Sequence, residues 1–365
     1  MTTGTWPDDK TVKTATFPAV SARYVRLTAW TEAGNRGDWT SVAEVNILGV
    51  APSAGAGGAW EPPIGLPIVP VSAILLPDGR LLTFAAYDAM TFDKKGTVTK
   101  VCVVDVTTNT AGQSASVETG HEMFCTGLAI LADGRILVNG GGSDRATTVY
   151  DPGTDTWTRG PLMEIARGRR TGSCSPQARP PGGGPGWSAS PLNRSSRPTL
   201  RGPTGRQPRL AVRYFGIPRT YHSVALLLAD GRVFSGGGGL CGTCTVNHAD
   251  GRIFTPPYLL EPDGSPRPRP VLTAAPSTAT PGSTITPAVT TDVGSPTFAL
   301  VRTSAVTHGV NNDQRRIPLM PTAADGTTYA LDIPADRGVV LPGAYLLFAL
   351  DARGTPSVGS WITIA

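Results

Sequence analysis

A seven-residue pattern recurs three times along this chain: Leu76-Pro77-Asp78-Gly79-Arg80-Leu81-Leu82, Leu131-Ala132-Asp133-Gly134-Arg135-Ile136-Leu137 and Leu228-Ala229-Asp230-Gly231-Arg232-Val233-Phe234. Each copy sets Asp-Gly between two apolar runs, and glycine takes the left-handed backbone of a tight hairpin turn without a Cβ penalty. A chain that doubles back in this way at intervals builds antiparallel sheet. The 44 Gly and 34 Pro, the short Val/Ile/Leu/Thr runs and the lack of helical periodicity agree, so the expected fold class is all-β.

The first two copies lie 55 residues apart, close to the period of about 50 of a kelch repeat. The middle copy is followed by Gly140-Gly141-Gly142, then Tyr150 and Trp157. That set completes a kelch-like unit, with glycines for close strand packing and two aromatics to wedge between neighbouring blades, and it implies a β-propeller. From about residue 61 to 260 there is room for roughly four blades at most.

Shifts in composition divide the chain. Residues 1–49 alternate in Tyr24-Val25-Arg26-Leu27-Thr28 and again in Trp39 to Ile47. This stretch resembles the C-terminal half of a discoidin-like, carbohydrate-binding sandwich, and a lone half would leave an unpaired sheet edge and an unfilled core. Residues 50–60, rich in Ala, Gly and Ser, read as a linker, 61–168 as propeller blades, and 213–262 as the last blade. Residues 265–365 carry short alternating runs between Gly/Pro/Asp turns, the spacing of an immunoglobulin-like sandwich.

Between the two blade segments, residues 169–212 are rich in Arg, Pro, Gly and Ser and have no strand alternation, so this tract is expected to be disordered. A shifted reading frame joined to an internal deletion would produce such a tract. From Arg169 to Arg209 there are eight arginines and no acidic residue or lysine, which leaves the remainder of a chain of net charge +5 at −3. The positive charge is therefore local, and it lacks the series of interleaved aromatic residues that a nucleic-acid platform would need, so no nucleic-acid partner is expected. No apolar run approaches the roughly 20 residues that cross a bilayer. The opening Met1 to Trp6 lacks the basic and apolar regions of an export signal.

Four histidines occur in the whole chain, and two of them lie in segments suited to metal binding. Arg219-Thr220-Tyr221-His222-Ser223 places a phenol beside an imidazole just before Gly236-Gly237-Gly238-Gly239, and His308 supplies a second imidazole in Thr307-His308-Gly309. A phenolate oxygen with neutral imidazole nitrogens suits a tetragonal Cu(II) site. On a strand, however, Tyr221 and His222 would point to opposite faces, as a packed tyrosine beside a surface histidine. Cys241 and Cys244, three apart in a glycine-rich loop, admit a zinc half-site, a redox pair or a short disulfide. Cys102, within Val101-Cys102-Val103-Val104, reads as a buried strand residue.

Taken together, Tyr221-His222, the glycine run, Cys241-Cys244, Asn247-His248, His121-Glu122-Met123-Phe124-Cys125 and Asn312 to Leu319 resemble the galactose oxidase and glyoxal oxidase family of copper radical oxidases. The resemblance implies one copper ion, with Tyr221 as axial ligand and proton-accepting base, His222 and His308 as imidazole ligands, and Cys125 as the sulfur that cross-links to a radical tyrosine. It implies a Cys241–Cys244 disulfide, a partial form of the family's seven-bladed propeller and a sandwich loop that carries His308 toward the propeller axis. It further implies a monomer outside the cytoplasm, in the cell envelope or secreted, whose start lies inside a longer precursor. Its partners would be O2 and a small primary alcohol or aldehyde, among which a carbohydrate is included, with H2O2 as product.

One residue departs from that pattern. The family's Ala-Arg-Gly-Tyr segment aligns with Ala166-Arg167-Gly168-Arg169, so arginine stands where the radical tyrosine is expected. A guanidinium remains cationic and forms no thioether. Trp187 and Tyr214 are the nearest aromatic substitutes, and neither stands in the right context. The alternative expectation is thus a non-catalytic remnant that binds copper or carbohydrate weakly.

Overall fold

The structure is a computed structural model that describes residues 54–92, 96–143, 145–166, 217, 219, 221–240, 247–308, 310–311 and 313–365. The half-sandwich expected over 1–49 and the tract 169–212 lie outside these residues. Among the described residues the chain is nearly all β, with one α-helical turn at Ala54–Gly57 and short 3-10 turns at Gly141–Ser143 and Pro257–Leu259. No helix there is long and apolar enough to cross a membrane.

Three antiparallel meander sheets are built on the repeat. The first runs through Ser72–Leu75, Leu81–Phe84, Thr99–Asp105 and Thr110–Ala111. The second takes Gly127–Ile130, Ile136–Asn139, Thr147–Asp151 and Thr156–Arg159 in simple sequence order. The third comprises Ser223–Leu227, Val233–Gly237 and Asp250–Thr255, and its outer position is filled by Ala59–Trp60 from the start of the described chain, with Trp60 opposite Phe254. This pairing joins the early and late parts of the chain in one sheet.

The repeated heptapeptide is one turn made three times. At each copy the aspartate accepts a hydrogen bond from the backbone N–H of the arginine two residues on, at 3.0 Å for Asp78, 3.1 Å for Asp133 and 2.9 Å for Asp230. The same arginine turns its Nε back to the other carboxylate oxygen at 2.6, 2.7 and 2.6 Å. Gly79, Gly134 and Gly231 hold φ of 86°, 86° and 85°, a conformation that costs an L side chain about 1–2 kcal/mol. Asp, Gly and Arg therefore recur together because each satisfies a different need of the same turn.

Tyr150 and Trp157 face each other across neighbouring strands of the second sheet, with ring centroids 4.6 Å apart. They pack into an apolar layer shared with Leu82, Phe84 and Val101 of the first sheet, so these aromatics fill the space between two sheets. Cys102 is buried in its strand, with its Sγ 3.4 Å from the Gly112 carbonyl.

The C-terminal part is a two-sheet sandwich. One sheet holds Val271–Ala274, Ala288–Thr290, Thr328–Asp332 and Thr284–Ile285, and the other Thr278–Ala279, Ser360–Ile364, Gly343–Leu350, Thr297–Arg302 and Arg316–Leu319. Phe298, Leu300, Leu331, Tyr345 and Leu347 fill the space between them. Ala299, Val301, Leu346 and Phe348, on the opposite face of the second sheet, join the core of the first and third meander sheets. This explains why Phe298 to Val301 and Tyr345 to Leu350 are unbroken apolar runs, since strands buried on both faces lose the alternation of a half-exposed sheet.

The sandwich also adds strands to the meanders. Ala305–Thr307 pairs antiparallel with Ser72–Leu75, with Val306 opposite Ala73, and with Val310–Asn311 on its other side. The hairpin so formed carries His308 at its tip and extends the first sheet. Ser72 Oγ donates to Thr307 Oγ1 at 3.0 Å. Nearby, the buried Arg302 guanidinium bonds Asp313 at 2.6 Å and the carbonyls of Ile130 and Pro342 at 3.2 Å each, which ties the second meander sheet to the sandwich.

Candidate metal centre

Three loops from three different sheets converge on one point. Cys125 lies just before Gly127–Ile130, His222 just before Ser223–Leu227, and His308 at the tip of the sandwich hairpin. The Cys125 Sγ is 3.3 Å from His308 Nε2 and 3.9 Å from His222 Nε2, and all three donor atoms lie within 4.8 Å of one another. Only six non-glycine residues among those described have positive φ, and Cys125 (59°), His222 (61°) and His308 (54°) are three of them. Such backbone is costly for side chains of this size and persists where the surrounding structure holds it, typically at functional sites.

The left-handed turn at His222 corrects the strand-based expectation for the Tyr221-His222 pair. Because φ at His222 is 61°, its ring swings back beside that of Tyr221, and the two centroids are 3.8 Å apart at an interplanar angle of 34°. Tyr221 stays exposed while His222 is 1% exposed. The Tyr221 and His308 rings meet edge to face at 5.7 Å. The residues whose types pointed to a metal site are thus brought together on one side.

The glycine run shapes the pocket for His222. A Cβ on Gly237 would come within 2.4 Å of the Pro70 carbonyl oxygen and 2.8 Å of that of His222, so no larger residue fits without moving backbone. Gly239 lets its carbonyl accept the His222 Nδ1–H at 2.8 Å. That bond fixes the tautomer and leaves Nε2 with its lone pair toward the cluster. Arg219, buried beneath the loop, donates to the Gly237 carbonyl at 2.8 Å and pairs with Asp250.

His308 is held similarly. Its Nδ1 shares a 2.7 Å hydrogen bond with Thr307 Oγ1, so Nε2 is again the nitrogen that faces Cys125. Burial pushes the His308 pKa down to about 4, so its ring is neutral at physiological pH. Phe124 lies edge-on against His222 at 5.1 Å and stacks on Phe92 at 4.6 Å, forming an apolar wall on one side.

Several contributors had no role assigned from the sequence. Phe92 sits in a loop of ordinary composition, and Gly239 and Thr307 act through backbone and hydroxyl groups. Phe124 was flagged only by its place next to Cys125. The remaining sequence-based candidates, Arg169, Trp187, Tyr214, Cys241 and Cys244, lie outside the described residues.

Two imidazoles that turn Nε2 toward a thiol, with a phenol beside them, form a donor set that fits copper. Comparison with known proteins agrees with this chemistry. Residues 269–364 match the family described as galactose oxidase-like, early set domain. The chain is 29% identical to a galactose oxidase of Gibberella zeae over an alignment of 542 positions, which takes in all of this chain and 79% of that protein. With 365 residues in the present chain, at least 177 of those positions have no counterpart in it. It is 33% identical to an aldehyde oxidase of Arabidopsis thaliana over 40% of this chain and 26% of that protein. A fungal alcohol oxidase solved in complex with copper has the same fold, with a TM-score of 0.70 at 24% identity, covering 84% of this chain and 99% of that one. By its match to galactose oxidase along its whole length and its galactose oxidase-like early set domain, the chain is a homologue of galactose oxidase.

Proposed function

We propose that His222, His308 and Tyr221 hold one copper ion, at a centre of the type that oxidises a primary alcohol or aldehyde with O2 to give H2O2. The observation that carries this reading is the convergence of two Nε2 atoms and the Cys125 sulfur from three separate loops, beside the Tyr221 ring. Bound copper would supply an electron acceptor and a cation that favours loss of a substrate hydroxyl proton.

The chain's own residues do the remaining work. His222 and His308 present neutral nitrogens, one oriented by the Gly239 carbonyl and the other by Thr307. Tyr221, exposed beside the two histidine rings, would take the hydroxyl proton on its phenolate oxygen, since a phenol of ordinary pKa near 10 gives a strong base once ionised. Phe92 and Phe124 exclude water from one side. The balance is a primary alcohol plus O2 giving an aldehyde plus H2O2.

A second reading rests on Arg169. Removing two electrons in one turnover needs a redox partner beside the metal, and arginine at the aligned position cannot be that partner. Copper binding without appreciable turnover is therefore the expected behaviour. The test is H2O2 release by copper-loaded protein given galactose or methylglyoxal under O2, alongside Tyr221→Phe. Release that Tyr221→Phe abolishes establishes the oxidase, whereas bound copper with no release establishes the non-catalytic copper protein.

A further inference from the structure

We propose that Cys125 is itself a direct ligand, so that the centre is a Cys125-His222-His308 site in which a thiolate binds copper. The inference rests on the reading that His222 and His308 hold the ion, and it adds a third, soft donor to them.

The two sulfur–nitrogen distances support it. A tetrahedral or trigonal ion with bonds of about 2.0–2.3 Å separates its ligand atoms by roughly 3.3–3.9 Å. The Cys125 Sγ stands 3.3 Å from one imidazole nitrogen and 3.9 Å from the other. Both imidazoles use Nδ1 for the Gly239 carbonyl and the Thr307 hydroxyl and turn Nε2 to the sulfur. The three residues come from three sheets, and each is held in a left-handed backbone conformation that directs its side chain to the common point. Two imidazoles and one thiolate in a trigonal arrangement with weaker additional ligation are a donor set for one-electron copper chemistry, and the soft sulfur favours Cu(I). On binding, the Cys125 thiol releases its proton to solvent and an S–Cu bond forms, with no change in oxidation state.

The experiment uses the full chain, loaded with Cu(II) and separately with Cu(I), without substrate. Copper X-ray absorption should show one sulfur among the nearest neighbours. The Cu(II) form should show an intense visible thiolate-to-copper band that Cys125→Ser removes, and Cys125→Ser should weaken Cu(I) binding about 100-fold or more. X-ray absorption on the unmodified chain keeps the test decisive if the variant misfolds. Copper held by nitrogen and oxygen alone, with unchanged affinity in Cys125→Ser, overturns the thiolate ligand and leaves the His222–His308–Tyr221 reading standing. A Cys125 peptide lighter by two hydrogens, the mark of a thioether to a tyrosine, overturns it as well. Absence of copper binding overturns both.

Discussion

At the scale of single residues, the four histidines divide by what their ring nitrogens do. His121 is fully buried, and its Nε2–H donates to the Gly140 carbonyl at 2.7 Å while Nδ1 accepts from the Thr148 hydroxyl at 2.8 Å. With both nitrogens engaged by protein, it is a structural residue, although it sits in the same motif as Cys125. Burial, helped by the charge of Arg159 and opposed by the Gly140 bond, lowers its pKa. The unfolded chain therefore binds a proton at His121 that the folded chain refuses. The stability tied to its neutral form is complete above the ordinary histidine pKa of about 6.5 and is lost as pH falls below it. Thermal midpoints measured between pH 7 and pH 5 should fall more steeply for the native chain than for His121→Gln, and equal slopes would refute this assignment.

The motif residues at 121–125, 221–222 and 308 were legible because their types and order are distinctive. Their backbone was not, since nothing in the string Tyr221-His222 announces a left-handed φ. A period-2 reading placed on opposite faces two rings that in fact lie side by side.

At the scale of elements, the Asp-Gly-Arg heptapeptide was legible in full as a turn, and its three copies mark the same corner of three sheets. Their surroundings differ in ways the sequence does not state. Arg135 and Asp133 are about half exposed, whereas Arg232 and Asp230 are 20% and 31% exposed. Arg232 also reaches Glu61 and the Val106 carbonyl at 3.0 Å. Asp230→Ala should therefore cost about 1–3 kcal/mol in urea unfolding, as expected for removing one partner of a half-buried charged bond. Asp133→Ala should move the unfolding midpoint far less, because an exposed pair competes with water. Equal effects would mean that the turn alone, and not its packing, sets the cost. The strand Ala59–Trp60 shows the limit of local reading, since its pairing with Asp250–Thr255 spans almost 200 residues and leaves no periodic trace in two residues.

At the scale of the whole molecule, the sandwich and the meander sheets share a core, because Ala299, Val301 and Phe348 pack with Val71, Leu226 and Phe234. The sequence separated these units cleanly, and it did so because continuous apolar runs look alike whether they face one core or two. Arg302 is the polar counterpart of that shared core. Replacing it with leucine would leave the Asp313 carboxylate and the Ile130 and Pro342 carbonyls without this partner, at a cost of about 3 kcal/mol. Because Asp313 closely follows the His308 hairpin, Arg302→Leu should also weaken copper retention during dialysis. Retention equal to that of the native chain would show that the hairpin is fixed by its pairing with Ser72–Leu75 alone.

That pairing bears on how the protein is made. Cys125 and His222 are synthesised well before His308, and the hairpin that carries His308 belongs to a sandwich whose central strand, Gly343–Leu350, comes later still. During translation, the earlier sheets emerge with two of the three donor atoms and no means of bringing in the third. The complete donor set exists only after the ribosome has released nearly the entire chain and the sandwich has docked. For the copper site proposed above, a nascent or truncated chain would lack the third donor, so copper loading would report that synthesis and folding have both finished.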